Sequence, residues 1–309
     1  MMPGKESSSA LPSGPTTGKP VGLIAGWGNL PLTVASAIRA SGSPVVCAAV
    51  RDHAQPEIEQ YCDEILWVGF GHLGKVLRHF RRHHVHSATM AGKIHKVRLF
   101  DRNFIWNHFP DWFCFQTFAP HFLWSRRDRK DDTLLTAITD GFAKQGIPFL
   151  PATDFAPELL VQYGQIAGPA LNKRQLADVA FGWNLAREIG RLDVGQSVAV
   201  KNQAALALEA IEGTDQCIAR AGKLCKSGGF TVVKVAKPNQ DMRFDVPTIG
   251  VGTLQTMVEA GATTLVVEAG KTIILDEAEV VQFAKRHRIT IVAAEEDRLP
   301  EIADSSAAA

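Results

Sequence analysis

Val21-Gly22-Leu23-Ile24-Ala25-Gly26-Trp27-Gly28-Asn29-Leu30-Pro31 reads as a buried strand passing through a glycine turn into a helix. Val21 to Ala25 is a short apolar run, and Leu30 to Ser41 carries the amphipathic spacing of a helix. Glycines at such a turn let backbone N–H groups approach a phosphate at the positive end of the helix. The third glycine of the dinucleotide fingerprint is absent. The next strand, moreover, ends at Arg51 where an acidic residue would hold a ribose. Taken alone, the turn fits a phosphate site or a bare strand-to-helix connection.

Outward from this turn the pattern continues. Pro44 to Val50, Glu64 to Val68 and Ser87 to Ala91 read as strands, and Leu73 to Arg82 as a basic amphipathic helix. Strands alternating with helices imply a parallel sheet, here a Rossmann-like N-terminal lobe over residues 20–150. Asp132 to Lys144 adds a helix, and Pro148 to Leu150 a closing strand. Residues 151–177 hold Pro151, Pro157, Gly164, Gly168 and Pro169 with little periodicity, and read as a linker or crossover.

Residues 178–300 read as a second α/β lobe, the C-terminal domain. Its expected elements are a helix from Leu176 to Glu188, strands at Ser197 to Val200 and Ala205 to Glu209, and a helix after Glu212-Gly213-Thr214-Asp215. Strands at Thr231 to Val235, Thr264 to Glu268 and Thr272 to Leu275, then a last helix and strand, complete it. The expected fold is α/β with two lobes, flanked by disordered tails at 1–19 and 301–309, with a ligand site between the lobes.

Thirty-three Lys and Arg against 32 Asp and Glu leave a net charge of +1 over 309 residues, with no global field to gather nucleic acid. Five scattered cysteines without a C-x-x-C pair argue against a disulfide framework or a structural zinc site, and for a reducing compartment. Cys47 and Cys114 read as core fillers. No segment approaches the roughly 18 continuous apolar residues of a membrane helix. The Ser-, Gly- and Pro-rich first residues also lack the apolar stretch of a signal peptide, so a cytoplasmic protein is expected.

The richest chemical stretch is Lys234 to Thr248, which places Lys234, Lys237 and Arg243 beside Asp241 and Asp245, with Gln240 between. Cations neutralise phosphate oxygens, and carboxylates hold a hard metal such as magnesium. If the segment is extended, Asp241, Arg243 and Asp245 project to one side. Gly92-Lys93 follows the fourth strand, where open parallel sheets bind ligands, and Lys93 is a candidate phosphate contact. Gly69-Phe70-Gly71-His72-Leu73-Gly74-Lys75 follows the third strand, its glycines read as turning the chain.

Asp131 and Asp132 open a helix, where a carboxylate caps free N–H groups, and the pair is also placed to meet a metal or a ribose. Glu209 closes an apolar strand and needs a partner, while Thr214 or Asp215 caps the following helix. The run from Arg78 to His86 reads as a solvated helix face, and the aromatics between Phe100 and Trp124 as packing between helices. Glu268 ends another apolar strand and raises the same need for a partner as Glu209.

In order along the chain, these motifs resemble one family. They are Gly22 to Gly26 with Leu30-Pro31, Ala91-Gly92-Lys93, Asp131-Asp132 with Leu134-Leu135, Glu188 to Gln196, Glu209 to Asp215, the Lys237-Pro238 loop through Asp245 to Gly250, and Glu268-Ala269-Gly270. The set is similar to the metal-dependent UDP-2,3-diacylglucosamine pyrophosphatases of lipid A biosynthesis, of the LpxI type. The resemblance implies hydrolysis of UDP-2,3-diacylglucosamine to UMP and 2,3-diacylglucosamine 1-phosphate with Mg2+. It also implies that the essential aspartate of a Gln-x-x-Arg-x-Asp-x-Pro pattern is Asp245, for metal binding or water activation, with Lys237, Gln240 and Arg243 on the phosphates.

On that basis Gly26 and Gly28 face nucleotide phosphate or sugar, Lys93, Asp132 and Thr214 contact substrate, and Asp241, Glu209, Glu212 and Asp215 join Asp245 as metal candidates. A diacylated product implies that the aromatic segment meets acyl chains or the surface of the inner membrane. No motif fixes the oligomeric state. Two other readings of the same lobes are a nucleotide-sugar or dinucleotide-dependent oxidoreductase and a non-catalytic lipid- or nucleotide-binding protein.

Overall fold

The computed structural model describes residues 15, 17–93, 110–124, 131–238 and 240–299, without the side chains of 119–124 and 131–133. The tails expected at 1–19 and 301–309 lie almost wholly outside these residues, as do Phe104, Trp106 and Phe109 and the side chain of Asp132. The chain divides into two compact units, Met1–Pro157 with Met242–Phe244, and Glu158–Asp241 with Asp245–Ala309.

In the first unit, β1 (Val21–Ala25), β2 (Val45–Val50), β3 (Glu64–Val68) and β4 (Ser87–Ala91) form a wholly parallel sheet in the order β3-β2-β1-β4. Helices α1 (Leu30–Ala40) and α2 (Leu73–Arg82) follow β1 and β3. Every residue of β2 is buried, because a parallel sheet covered on both faces demands continuous apolar runs. The connection after β3 crosses to the far side of β1, so the order reverses between β1 and β4, where open α/β sheets carry their ligand crevice.

Helices α3 (Trp112–Trp124) and α4 (Asp131–Ala143) follow. The Phe142 ring of α4 meets Phe80, Phe113 and Phe149 edge-on, with centroids 6.2, 5.6 and 5.4 Å away. Edge-to-face geometry suits the ring quadrupoles and fixes these helices on the sheet. The strand expected at Pro148 to Leu150 is reduced to a single bridge from Phe149 to Ala88.

Residues 151–177, expected to be irregular, hold a short helix α5 (Ala152–Phe155) and strand β5 (Gly164–Ala167). The long helix α6 (Lys173–Arg191) begins within them, earlier than its apolar spacing suggests. Asn172 and Gln175 form a reciprocal capping box there, which supplies partners for the first free N–H groups.

The second unit continues with β6 (Ser197–Lys201), β7 (Ala204–Leu208), α7 (Thr214–Leu224), β8 (Phe230–Lys234), β9 (Thr248–Ile249), α8 (Val251–Ala260), β10 (Ala262–Glu268), β11 (Ile273–Ile274), α9 (Glu277–His287) and β12 (Thr290–Ala294). Its main sheet has the order β5-β12-β10-β8-β6-β7. The three central strands are parallel, and the strands flanking them run antiparallel. Trp183 of α6 is fully buried with Val198, Val200, Val233 and Val266. Lys234, Glu268 and Ala294 end the parallel strands on one edge, so the segments leaving β8 and β10 start side by side.

Candidate active site

In the first unit, β1 and β4 end together and their following turns lock. Trp27 N–H donates to the Lys93 carbonyl at 2.9 Å, and Lys93 N–H returns a bond to the Trp27 carbonyl at 3.0 Å. Gly26 N–H donates to the Ala91 carbonyl at 2.8 Å, so this donor serves the clamp and does not point at a ligand. The glycine is required for close approach, since a Cβ on it would stand 2.9 Å from the Lys93 carbonyl oxygen.

Gly92 sits at φ +92°, where a Cβ would come within 2.7 Å of Gly26 backbone. Gly28 lies at φ +100° with open space around its Cα, and Lys93 is exposed beside this turn. The structure thus brings Gly26, Gly28 and Lys93 to one place at the strand-order reversal. The N-terminus of α1 that opens from it has no acidic residue in its first turn and no side-chain cap from Asn29.

The second glycine turn is filled. Asp111 accepts hydrogen bonds from Gly74 N–H at 2.7 Å and Lys75 N–H at 3.2 Å through one oxygen, and from Cys114 N–H at 2.9 Å through the other. One carboxylate therefore caps α2 and α3 together. The sequence reading did not single out Asp111, although an aspartate just before an apolar helical run is a cap signal.

The loop after β8 is built around Gln240. Its side-chain oxygen accepts from Lys237 N–H at 2.9 Å, and its amide donates to Asp245 Oδ2 at 2.8 Å. Lys237 Nζ is held 2.9 Å from Asp193 Oδ1. Asp245 N–H donates to the Asp241 carbonyl at 3.0 Å across a turn at 242–244. That turn replaces the extended ladder expected for Asp241, Arg243 and Asp245, because an i to i+4 bond needs a curled backbone. Arg243 lies over the ring of its neighbour Phe244, 5.8 Å from the centroid.

The loop's root is anchored by Glu268, 3% exposed, whose Oε2 accepts from Ala236 N–H at 2.8 Å. Its Oε1 pairs with Lys271 at 2.8 Å and with Arg187 at 3.4 Å. A carboxylate this deep is tolerated because every oxygen has a charged or N–H partner.

Glu209, 6% exposed, receives the Thr214 hydroxyl at 3.3 Å and Gln196 N–H at 3.4 Å, and Thr214 also lies 3.1 Å from the Ser197 hydroxyl. Thr214 is thereby tied to the fold, and Gly213 is the N-cap of α7 in place of Thr214 or Asp215. Glu212 is paired with Arg220. A hydrogen bond from its own backbone N–H, and then the Arg220 guanidinium, hold its carboxyl below the usual range. Asp215 is exposed in the first turn of α7.

The five carboxylates proposed as metal ligands, Asp245, Asp241, Glu209, Glu212 and Asp215, do not converge on one cage. Among the described residues, no three of His, Cys, Asp and Glu form a group able to hold a metal ion. Asp245 keeps the donor chemistry that magnesium favours, a carboxylate whose Oδ2 is bonded by a neutral amide. Magnesium is commonly held by one or two carboxylates together with substrate phosphates, so Asp245 fits where a five-carboxylate cage does not.

Residues 20–159 match the model of the LpxI N-terminal domain, and residues 162–292 that of the LpxI C-terminal domain. This chain belongs to the LpxI family. A relative in Caulobacter vibrioides, named UDP-2,3-diacylglucosamine pyrophosphatase LpxI, is 29% identical over 277 residues, which cover 85% of this chain and 93% of the relative. The junction of the two LpxI family domains falls where the two compact units meet along the chain. Both the glycine clamp and the Lys237–Asp245 loop lie within matched LpxI segments.

Proposed function

We propose that this chain hydrolyses the pyrophosphate of UDP-2,3-diacylglucosamine to UMP and 2,3-diacylglucosamine 1-phosphate in lipid A biosynthesis. Family membership and the activity named for the Caulobacter vibrioides relative support the reaction. The observation that carries the site is the Gln240 bridge, which sets Asp245 and Lys237 in fixed relation at the carboxyl edge of the second sheet.

In this reading the water oxygen bonds to one phosphorus while the bridging P–O bond breaks, leaving two phosphomonoesters. Asp245 orients or deprotonates that water, while Lys237 and Arg243 meet phosphate oxygens as charge develops. Gln240 keeps the carboxylate aimed by holding Oδ2. Mg2+, bound by Asp245 and the substrate phosphates, would offset negative charge on the phosphoryl oxygens. Gly28 and Lys93 supply a phosphate or sugar contact in the first unit.

A cytoplasmic protein touching the inner membrane peripherally suits a diacylated substrate. No helix among the described residues is long and apolar enough to cross a membrane. Trp112 and Phe115 stack with centroids 5.7 Å apart on the exposed side of α3. On α2, which Asp111 caps together with α3, Lys75, Arg78 and Arg82 are exposed. Exposed aromatics next to cations are the chemistry of an anionic bilayer surface.

The test is UMP release from UDP-2,3-diacylglucosamine by wild type and Asp245→Ala, with Mg2+ and with chelator. Asp245→Ala is expected to lose at least about a hundredfold in kcat, in the range of losing a positioned water-activating group. Undiminished turnover in chelator would remove the metal from the mechanism, and binding without turnover in wild type would favour a carrier.

A further inference from the structure

Lys234 is the last residue of β8 and only 6% exposed, within a strand whose other members are all buried. A buried ammonium is costly, and an apolar residue of similar volume would fill such a slot without desolvation. Its Nζ donates to the Thr248 carbonyl at 2.9 Å. Thr248 begins β9, so this bond joins the residue before the catalytic loop to the residue after it.

The two ends are also pinned separately. Val235 N–H donates to the Gln196 carbonyl at 3.0 Å and Ala236 N–H to Glu268, while the Pro247 carbonyl accepts from Ile273 N–H at 2.8 Å. Only Lys234 ties entry to exit among these bonds. We infer that Lys234 is a positioning residue for the hydrolysis, its buried ammonium closing the base of the 235–247 loop so that Lys237, Gln240 and Asp245 keep their mutual geometry. The inference rests on the functional reading given above. It concerns a side chain that reaches the reaction through the loop it closes.

Lys234→Met should fold and keep KM within about twofold, yet lose about tenfold or more in kcat, the size expected when a reacting group is slightly misplaced. Lys234→Arg, which keeps a donor cation, should recover much of that loss. Amide exchange across residues 240–247 should quicken in Lys234→Met and not elsewhere in the second unit. If Lys234→Met does not fold, Lys234→Gln, whose polar but shorter side chain ends short of the Thr248 carbonyl, is read in the same way.

Wild-type kcat in the folded variant would overturn the inference, as would a loss that Lys234→Arg does not recover and that leaves exchange in the loop unchanged. Asp245→Asn, measured beside it, separates the two ideas. Full activity in Asp245→Asn would sink the functional reading itself, whereas an inactive Asp245→Asn with an unaffected Lys234→Met would sink only the clamp.

Discussion

Two glycine turns leave the same edge of the first sheet, and they have opposite fates. The β1–α1 turn is clamped by Gly92-Lys93, with Gly28 in the positive-φ region and, among the described residues, no acidic residue in the first turn of the helix. The β3–α2 turn has its helix N-terminus filled by Asp111, which arrives from a segment far along the chain. A helix N-terminus attracts an anion in either case. Where the protein supplies its own carboxylate the turn becomes a docking point for α3, and the turn without one is the one proposed to meet a ligand phosphate.

The comparison breaks most sharply at Gly92. Gly92→Val places a branched Cβ at φ +92°, 2.7 Å from Gly26 backbone and 2.8 Å from the Trp27 carbonyl oxygen, where neither neighbour is a flexible side-chain end. The positive φ alone costs about 1–2 kcal/mol for a residue with a Cβ. The expected outcome is a lower melting temperature and at least about a hundredfold loss of kcat/KM, because a misplacement near 1 Å costs on this scale. Near-normal kcat/KM in a folded Gly92→Val would show that the open turn takes no part in binding.

Much of this contrast was not readable in the chain. The strands β1, β3 and β4 and helix α2 match the sequence reading residue for residue, because each is a short apolar or amphipathic run between Gly, Pro or charged residues. Helix α8 went unread: its N-cap, Gly250, has no side chain to mark the start, and only Leu254 and Met257 are buried, too thin a stripe to show a period. Strand β5 hid among glycines and prolines because its pairing with β12 is tertiary.

At the site, the Gln240-to-Asp245 segment was visible as chemistry, and Glu209 was visible as a carboxylate in need of a partner. The sequence could not show that Glu212 is consumed by Arg220 or that Lys234 reaches Thr248. Each depends on a side chain meeting an atom whose position is set by the rest of the fold. Periodicity carries no information about such pairs.

Asp111→Ala probes the filled turn and should have a smaller effect of a different kind. Removing a capping carboxylate costs about 0.5–2 kcal/mol. Here three N–H groups lose their partner at once, so about 2 kcal/mol is expected in urea unfolding. The kcat on a detergent-dispersed substrate should stay within about twofold, because the open turn and the Lys237–Asp245 loop are untouched. A large kcat loss without destabilisation would mean that the filled turn serves the reaction after all.

The smallest effect belongs to what the filled turn carries. Asp111 ties the start of α3, and with it the exposed Trp112–Phe115 stack, to the N-terminus of α2, a helix on which Lys75, Arg78 and Arg82 are exposed. If the turn is closed in order to present that surface, Trp112→Ala with Phe115→Ala should weaken co-sedimentation with vesicles rich in anionic phospholipid by about three- to tenfold, the scale of about 1 kcal/mol of interfacial contact. Added salt should weaken the remaining binding further, since the Lys75, Arg78 and Arg82 charges are screened within a Debye length of about 8 Å. Turnover of a detergent-dispersed substrate should be unchanged in the double variant. Vesicle binding equal to wild type would leave α3 as a packing element alone, and the contrast would then reduce to one turn that binds a ligand and one that binds the protein itself.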